Sequence, residues 1–277
     1  MKKALLFMLI STASFSMMNA FIKYLDRIPA FQLVFFRSVT SFIMASAFLL
    51  RHNISILGNQ KTLLVTRAFF GLISMSLFFM SFKYLPIGTA VSLRYIAPIF
   101  AAIFAVFLLK EKLKPIQWLF FFIAFMGVII LKGFDNNVSN LGLALVLTAS
   151  VFTGLVYITI RKIGPTEHPV VVVNYFMFTA TIFGLLLCLH TWVWPIGKEW
   201  LLLGSLGIFG YFGQLYMTKA FQIASTNLVA PIKYTEVVFT IFIGIFWFGD
   251  HYTLWSFLGL LCIIGGLVAN TLVNKGK

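Results

Sequence analysis

Acid is what this sequence has least of. Of 277 residues only 7 are Asp or Glu, against 21 Lys or Arg, so about one residue in ten is charged. Soluble domains carry about 25% charged residues, and a chain this poor in them lacks a water-facing surface. Apolar residues make up 61% and the mean hydropathy is +1.00, which also excludes intrinsic disorder. With two cysteines, Cys188 and Cys262, both in apolar runs, no disulfide scaffold can form. No Walker loop, HExxH helix, nucleophile elbow or heptad is present, and the four histidines lack metal-ligand spacing. No cofactor is expected, and neither an ATP-driven pump nor a conventional hydrolase has the residues it needs. A net charge of +14 would suggest nucleic acid in a soluble protein. Here nucleic acid is excluded as a partner, and the solvent to consider is a lipid bilayer.

What is present is a series of long apolar runs. A spanning helix needs about 20 such residues, and polar, Pro or Gly breaks divide the chain into ten stretches: 4–24, 30–50, 62–82, 86–109, 115–132, 141–160, 169–190, 199–219, 225–248 and 253–273. None alternates with period two, so a β-barrel is excluded. The expected fold is an all-α integral membrane protein of ten transmembrane helices. The loops are too short to hold a separate domain, so function belongs inside the bundle or at its mouths. The first stretch, behind Lys2 and Lys3, imitates a signal peptide. Its hydrophobicity continues through Phe21 and Ile22 without a small-x-small cleavage site, so it is read as a retained helix.

The basic residues orient the bundle. With the N-terminus inside, twelve Lys and Arg fall in cytoplasmic segments, five in outer segments, and Arg37, Arg67, Arg94 and Lys233 within helices. That bias places both termini in the cytoplasm.

Residues 82–133 superimpose on 221–272 without a gap at a shift of 139, pairing Arg94 with Lys233, Tyr95 with Tyr234, Glu111 with Asp250 and Gly127 with Gly266. Six of these positions are identical. The charges carry more information: Lys110, Lys112 and Lys114 in the first copy face Gly249, His251 and Thr253 in the second. A copy with an odd number of spans is inverted, so a cytoplasmic loop that needs lysines becomes an outer loop that does not. The expected division is residues 1–137 and 138–277, two inverted five-helix repeats.

Charges at mid-membrane cost about 2.5–3.5 kcal/mol or more each, so each needs a reason. Glu236 is the one acid in the interior of any expected span, with Lys233 three residues before it on the same helical face. Either the carboxylate binds a proton or cationic group, or the two neutralise each other. Arg94 shares a face with small residues and Pro98, which loosens the helix near mid-depth. Tyr95 and Tyr234 follow the two cations symmetrically. Arg67, five residues from a helix end, is expected to snorkel to the surface. Asn19, Tyr157, Asn174, Gln214 and Tyr216 are further polar residues in spans, each suited to an interhelical hydrogen bond or to a lumen.

These residues resemble a family. Arg67-Ala68-Phe69-Phe70-Gly71 through Phe82-Lys83-Tyr84-Leu85-Pro86 is similar to the third helix of EamA-type members of the drug/metabolite transporter superfamily. Ala97-Pro98-Ile99-Phe100 leading to Leu109-Lys110-Glu111, and Ala230-Pro231-Ile232-Lys233-Tyr234-Thr235-Glu236 leading to Phe248-Gly249-Asp250, resemble the ends of its two repeats. The resemblance implies a ten-helix carrier of small metabolites in the bacterial inner membrane, with a central cavity. Its first helix departs from the family pattern: Phe15-Ser16-Met17-Met18-Asn19 replaces a frequent Trp-Gly. The Lys-Tyr-x-Glu pattern resembles carriers of S-adenosylmethionine-like compounds.

The expected function is therefore an exporter or exchanger of a small polar metabolite, amino-acid-like or S-adenosylmethionine-like, working by alternating access with proton or exchange coupling. Arg94, Tyr95, Lys233, Tyr234, Glu236, Tyr216, Gln214, Asn19 and Tyr157 are the candidate substrate contacts, and Glu236 is the coupling group. A passive facilitator and a lipid-modifying membrane enzyme are the alternatives. The protein is expected as a monomer or homodimer.

Overall fold

The computed structural model describes residues 2–109, 114–134, 139–223 and 235–273. Among these every regular element is helical: α1 (Lys2–Tyr24), α2 (Ala30–Arg51), α3 (Lys61–Ser81), α4 (Ile87–Arg94), α5 (Ala97–Leu109), α6 (Pro115–Phe134), α7 (Asn140–Ile163), α8 (Pro169–Cys188), α9 (Glu199–Ile223), α10 (Thr235–Phe248) and α11 (Leu254–Val273). Seven helical stretches are long and apolar enough to cross a membrane, with α4 and α5 together forming one of them, Ile87–Leu108. Three shorter apolar helices cover Pro115–Ile130, Thr235–Phe248 and Leu254–Asn270.

The expected span 86–109 is interrupted at Tyr95 and Ile96. Pro98 has no N–H to donate back into the preceding turn, so the ladder cannot run through. Ile96 donates to Leu93 O at 3.1 Å and Ile99 to Ile96 O at 2.8 Å, tight turns that carry the chain across the break. The Arg94 carbonyl, which loses the N–H of residue 98, and the Leu93 carbonyl both accept from Ser150 Oγ, at 3.4 and 3.3 Å. A serine on α7 thus meets groups that lipid could not.

The packing of the first stretch is mirrored by the second. α1 packs on α9, and α3 on α7; α2 packs on α9, and α3 on α8; α1 packs on α10, and α7 on α4 and α5. The close approaches repeat with the register of 139. A Cβ on Gly127 would lie 2.5 Å from Gly259 O and 2.8 Å from Ile263; one on Gly266 would lie 2.7 Å from Phe120 O and 3.1 Å from Ala124 N. A Cβ on Gly71 would meet Phe176 at 2.9 Å, and one on Gly210 would meet Arg37 at 3.1 Å. Residues 71 and 210, and 37 and 176, are each 139 apart.

The two ends of the bundle differ. At the end where α1 finishes, one continuous apolar core includes Ile22, Leu25, Ile28, Phe78, Phe82 and Leu85. Lys23 Nζ donates there to Phe82 O at 2.8 Å and Leu85 O at 3.1 Å, tying α1 to the end of α3. Nearby, Arg27 pairs with Glu199 in an exposed bridge at 2.5 Å, and the bonded carboxylate raises the guanidinium's affinity for its proton. At the end where α1 begins, the apolar contacts separate into two clusters, one joining α1 to α9 and the other α2, α3, α7 and α8.

Candidate functional site

Between these ends lies a cavity of ≈ 140 Å³ to which α1, α2, α3, α4, α7, α8, α9 and α10 all contribute side chains. One water requires about 10–15 Å³ measured this way, so the space suits several waters or a small solute. Of the nine candidate contacts, Asn19, Arg94, Tyr95, Tyr157, Gln214 and Glu236 line it. Tyr216 does not. Its ring packs against Phe7 at 5.5 Å and Phe212 at 6.2 Å with Lys219 over it, so it belongs to the α1–α9 contact. Lys233 and Tyr234 lie outside the described residues, as does the expected Lys233–Glu236 pairing.

Glu236 stands in the first turn of α10 and is 5% exposed. Tyr95 donates its hydroxyl to Oε2 at 2.6 Å, and Asn19 donates Nδ2 to Oε1 at 3.1 Å. Both donors are neutral, so they orient the carboxylate without adding counter-charge. Tyr95 stands directly after α4, with its N–H still bonded to Val91 O at 3.3 Å and Ser92 O at 3.1 Å. α1 is tied to α10 again by Thr12 and Thr235, whose hydroxyls are 3.2 Å apart, and by Ser16 Oγ, 3.4 Å from Glu236 O.

Three arginines enter the same cavity from three helices. None has a carboxylate within 4.0 Å; among the described residues the one salt bridge is Arg27–Glu199. Arg94 lies over the ring of Phe78 at 4.2 Å, Arg67 over Phe176 at 4.4 Å, and Arg37 over Phe79 at 5.8 Å. Arg37 Nε also donates to Met18 Sδ at 3.2 Å, and its Nη1 is turned to Met75 Sδ. A desolvated cation–π contact contributes about 2 kcal/mol, against an insertion cost of about 2.5–3.5 kcal/mol for a mid-membrane arginine. The rings offset much of that cost but accept almost none of the five N–H bonds a guanidinium offers.

One expectation from the sequence changes. Arg67 does not snorkel: it is 4% exposed, because the missing side chain at Gly71 lets its guanidinium fold back against Phe176. Arg94 lies over the Phe78 face and makes no salt bridge to Glu236. Asn174 does make an interhelical bond, with Ser46 at 3.0 Å. The aromatic and thioether seats (Phe78, Phe79, Phe176, Met18 and Met75) escaped the sequence reading. For Phe176 a signal existed, because the 139 shift aligns it with Arg37.

Three other described acids are occupied elsewhere, and Asp26 is exposed. Glu167 accepts from Gln60 N at 2.6 Å and from Asn59 N, just before α3. Asp250 accepts from Ile87 N at 3.1 Å at the start of α4, and Glu199 holds Arg27.

The sequence matches the EamA-like transporter family over residues 2–132 and 140–272. It is 24% identical over 279 residues to the pseudopaline exporter CntI of Pseudomonas aeruginosa, covering 100% of this chain and 98% of that protein. It is 27% identical over 245 residues to an S-adenosylmethionine uptake transporter of Rickettsia prowazekii, covering 87% and 83%. A crystal structure 19% identical in sequence superimposes with a TM-score of 0.72, over 99% of this chain and 98% of that one. With seven helical stretches able to cross a membrane and a family match spanning nearly the whole sequence, this chain is a multi-pass membrane protein that belongs to the EamA-like transporter family.

Proposed function

We propose that the protein is a secondary transporter, an exporter or exchanger that moves a small polar metabolite across the bacterial inner membrane by alternating access. The observation that carries this reading is the Glu236 carboxylate, which accepts from Asn19 of α1 and from Tyr95 in the break after α4, inside a cavity that eight helices share. A titratable group so placed can exchange a proton or a cationic group as access changes sides.

The moving parts are residues 1–137 and 138–277, as inverted five-helix repeats in a ten-helix bundle with both termini cytoplasmic. The split family match and the contacts reproduced at a shift of 139 support this division. A two-fold axis in the membrane plane produces reciprocal contacts of that kind. The continuous core at one end and the divided clusters at the other support a state open toward the cytoplasm. Among the candidate cargoes, the three arginines favour the carboxylate of an amino-acid-like compound over a sulfonium cation.

Counterflow of a labelled metabolite library in proteoliposomes identifies cargo and separates a carrier from a passive facilitator. With that cargo, Glu236→Gln abolishes pH-gradient-driven uptake while the protein stays monodisperse. Gradient-driven flux equal to the parent's would remove Glu236 from coupling.

A further inference from the structure

Among the described residues the charge of the cavity is lopsided. Arg37, Arg67 and Arg94 face it with no described acid in ion-pair range, and Glu236 is bonded to Tyr95 and Asn19. All three arginines line the same cavity and so form one electropositive cluster. Arg67 is the clearest member. It is 4% exposed, lines the cavity, and its Nε and Nη1 have no hydrogen-bond partner. Buried guanidinium N–H groups are normally satisfied, and their preferred acceptor is a carboxylate met by two parallel bonds.

We infer that the missing acceptors arrive with the cargo, which is a small organic acid carrying at least two carboxylates; this rests on the transporter reading of the same cavity. A single carboxylate can engage one fork and leaves a surplus of cations. A phosphate concentrates its charge at one point, whereas these guanidinium groups come from three different helices and are anchored over three different rings, two on α3 and one on α8. Separate anchors fit separate carboxylates along one short molecule.

The test uses the full-length protein in detergent and in proteoliposomes, with lactate, succinate, citrate, glycerol 3-phosphate and spermidine at matched ionic strength. Succinate and citrate should raise the thermal unfolding midpoint saturably, while lactate, glycerol 3-phosphate and spermidine leave it unmoved. Arg37→Gln and Arg67→Gln should each raise the half-saturating acid concentration at least tenfold. Arg67→Lys should not restore it, because a point charge cannot make the two-bond contact. Arg27→Gln, outside the cavity, should leave it unchanged. Stabilisation by lactate equal to that by succinate, by glycerol 3-phosphate or spermidine alone, or by none of the five overturns the inference, and the unmutated protein decides this even if a variant fails to fold. Stabilisation by the acids without counterflow upholds the binding chemistry and defeats the carrier reading. Counterflow of a compound with fewer than two carboxylates, and not of the acids, does the reverse.

Discussion

The two stretches of this chain, 2–134 and 139–273, pack alike and are charged unlike. Gly71 against Phe176 and Gly210 against Arg37 are the same contact at a shift of 139, made once by an aromatic ring and once by a guanidinium. Every described arginine of the cavity comes from the first stretch, and the described carboxylate comes from the second. Backbone packing tolerates such divergence because a close helix contact needs only a glycine beneath the larger side chain. The difference therefore lies in the chemistry of the lining and leaves the frame intact.

The sharpest way to break this comparison is to make the two stretches alike at the cavity. Arg37→Phe puts into α2 the residue that α8 already has, and should lower counterflow at least a hundredfold while the protein remains monodisperse. Counterflow within threefold of the parent would show that the asymmetry is incidental.

The next test concerns the shared frame. Gly127→Leu and Gly266→Leu each drive a side chain into backbone less than 3 Å away across the α6–α11 contact. Overpacking of this kind costs about 1–3 kcal/mol, and the two variants should lose similar amounts in thermal unfolding. A loss confined to one of them would mean that the glycines do not occupy equivalent places. Tyr95→Phe removes one donor from Glu236, and a bond to a charged group contributes about 1.5–3 kcal/mol. It should slow gradient-driven transport by about tenfold or more, shift its pH profile and lower the thermal unfolding midpoint by a few degrees. Arg27→Gln is the smallest change: an exposed pair is screened by salt, so neither unfolding midpoint nor counterflow should move at physiological ionic strength.

Much of the fold could be read in advance because membrane helices announce themselves by length and composition. The break near Pro98 was legible for the same reason, since a missing N–H is a property of residue type. Glu236, Arg94 and Asn19 stood out as polar groups in apolar runs. The position of Arg67 was not legible: counting residues from a helix end gives depth, but the direction of its side chain depends on the absent one at Gly71. Tyr216 illustrates the converse, a polar residue at the right depth whose ring is held by Phe7 and Phe212 on another face. Phe176 carries no chemical signal alone and becomes visible once the 139 register is extended back to Arg37.

Three like charges around so small a space have a kinetic consequence. Coulomb repulsion scales inversely with the local dielectric constant, so expelling water from the unloaded cavity drives the guanidinium groups against one another. On the alternating-access reading, the empty protein closes reluctantly and the loaded one closes readily. Turnover is then limited by the journey home without a passenger, and flux is fastest when each departing molecule is replaced by another from the opposite side.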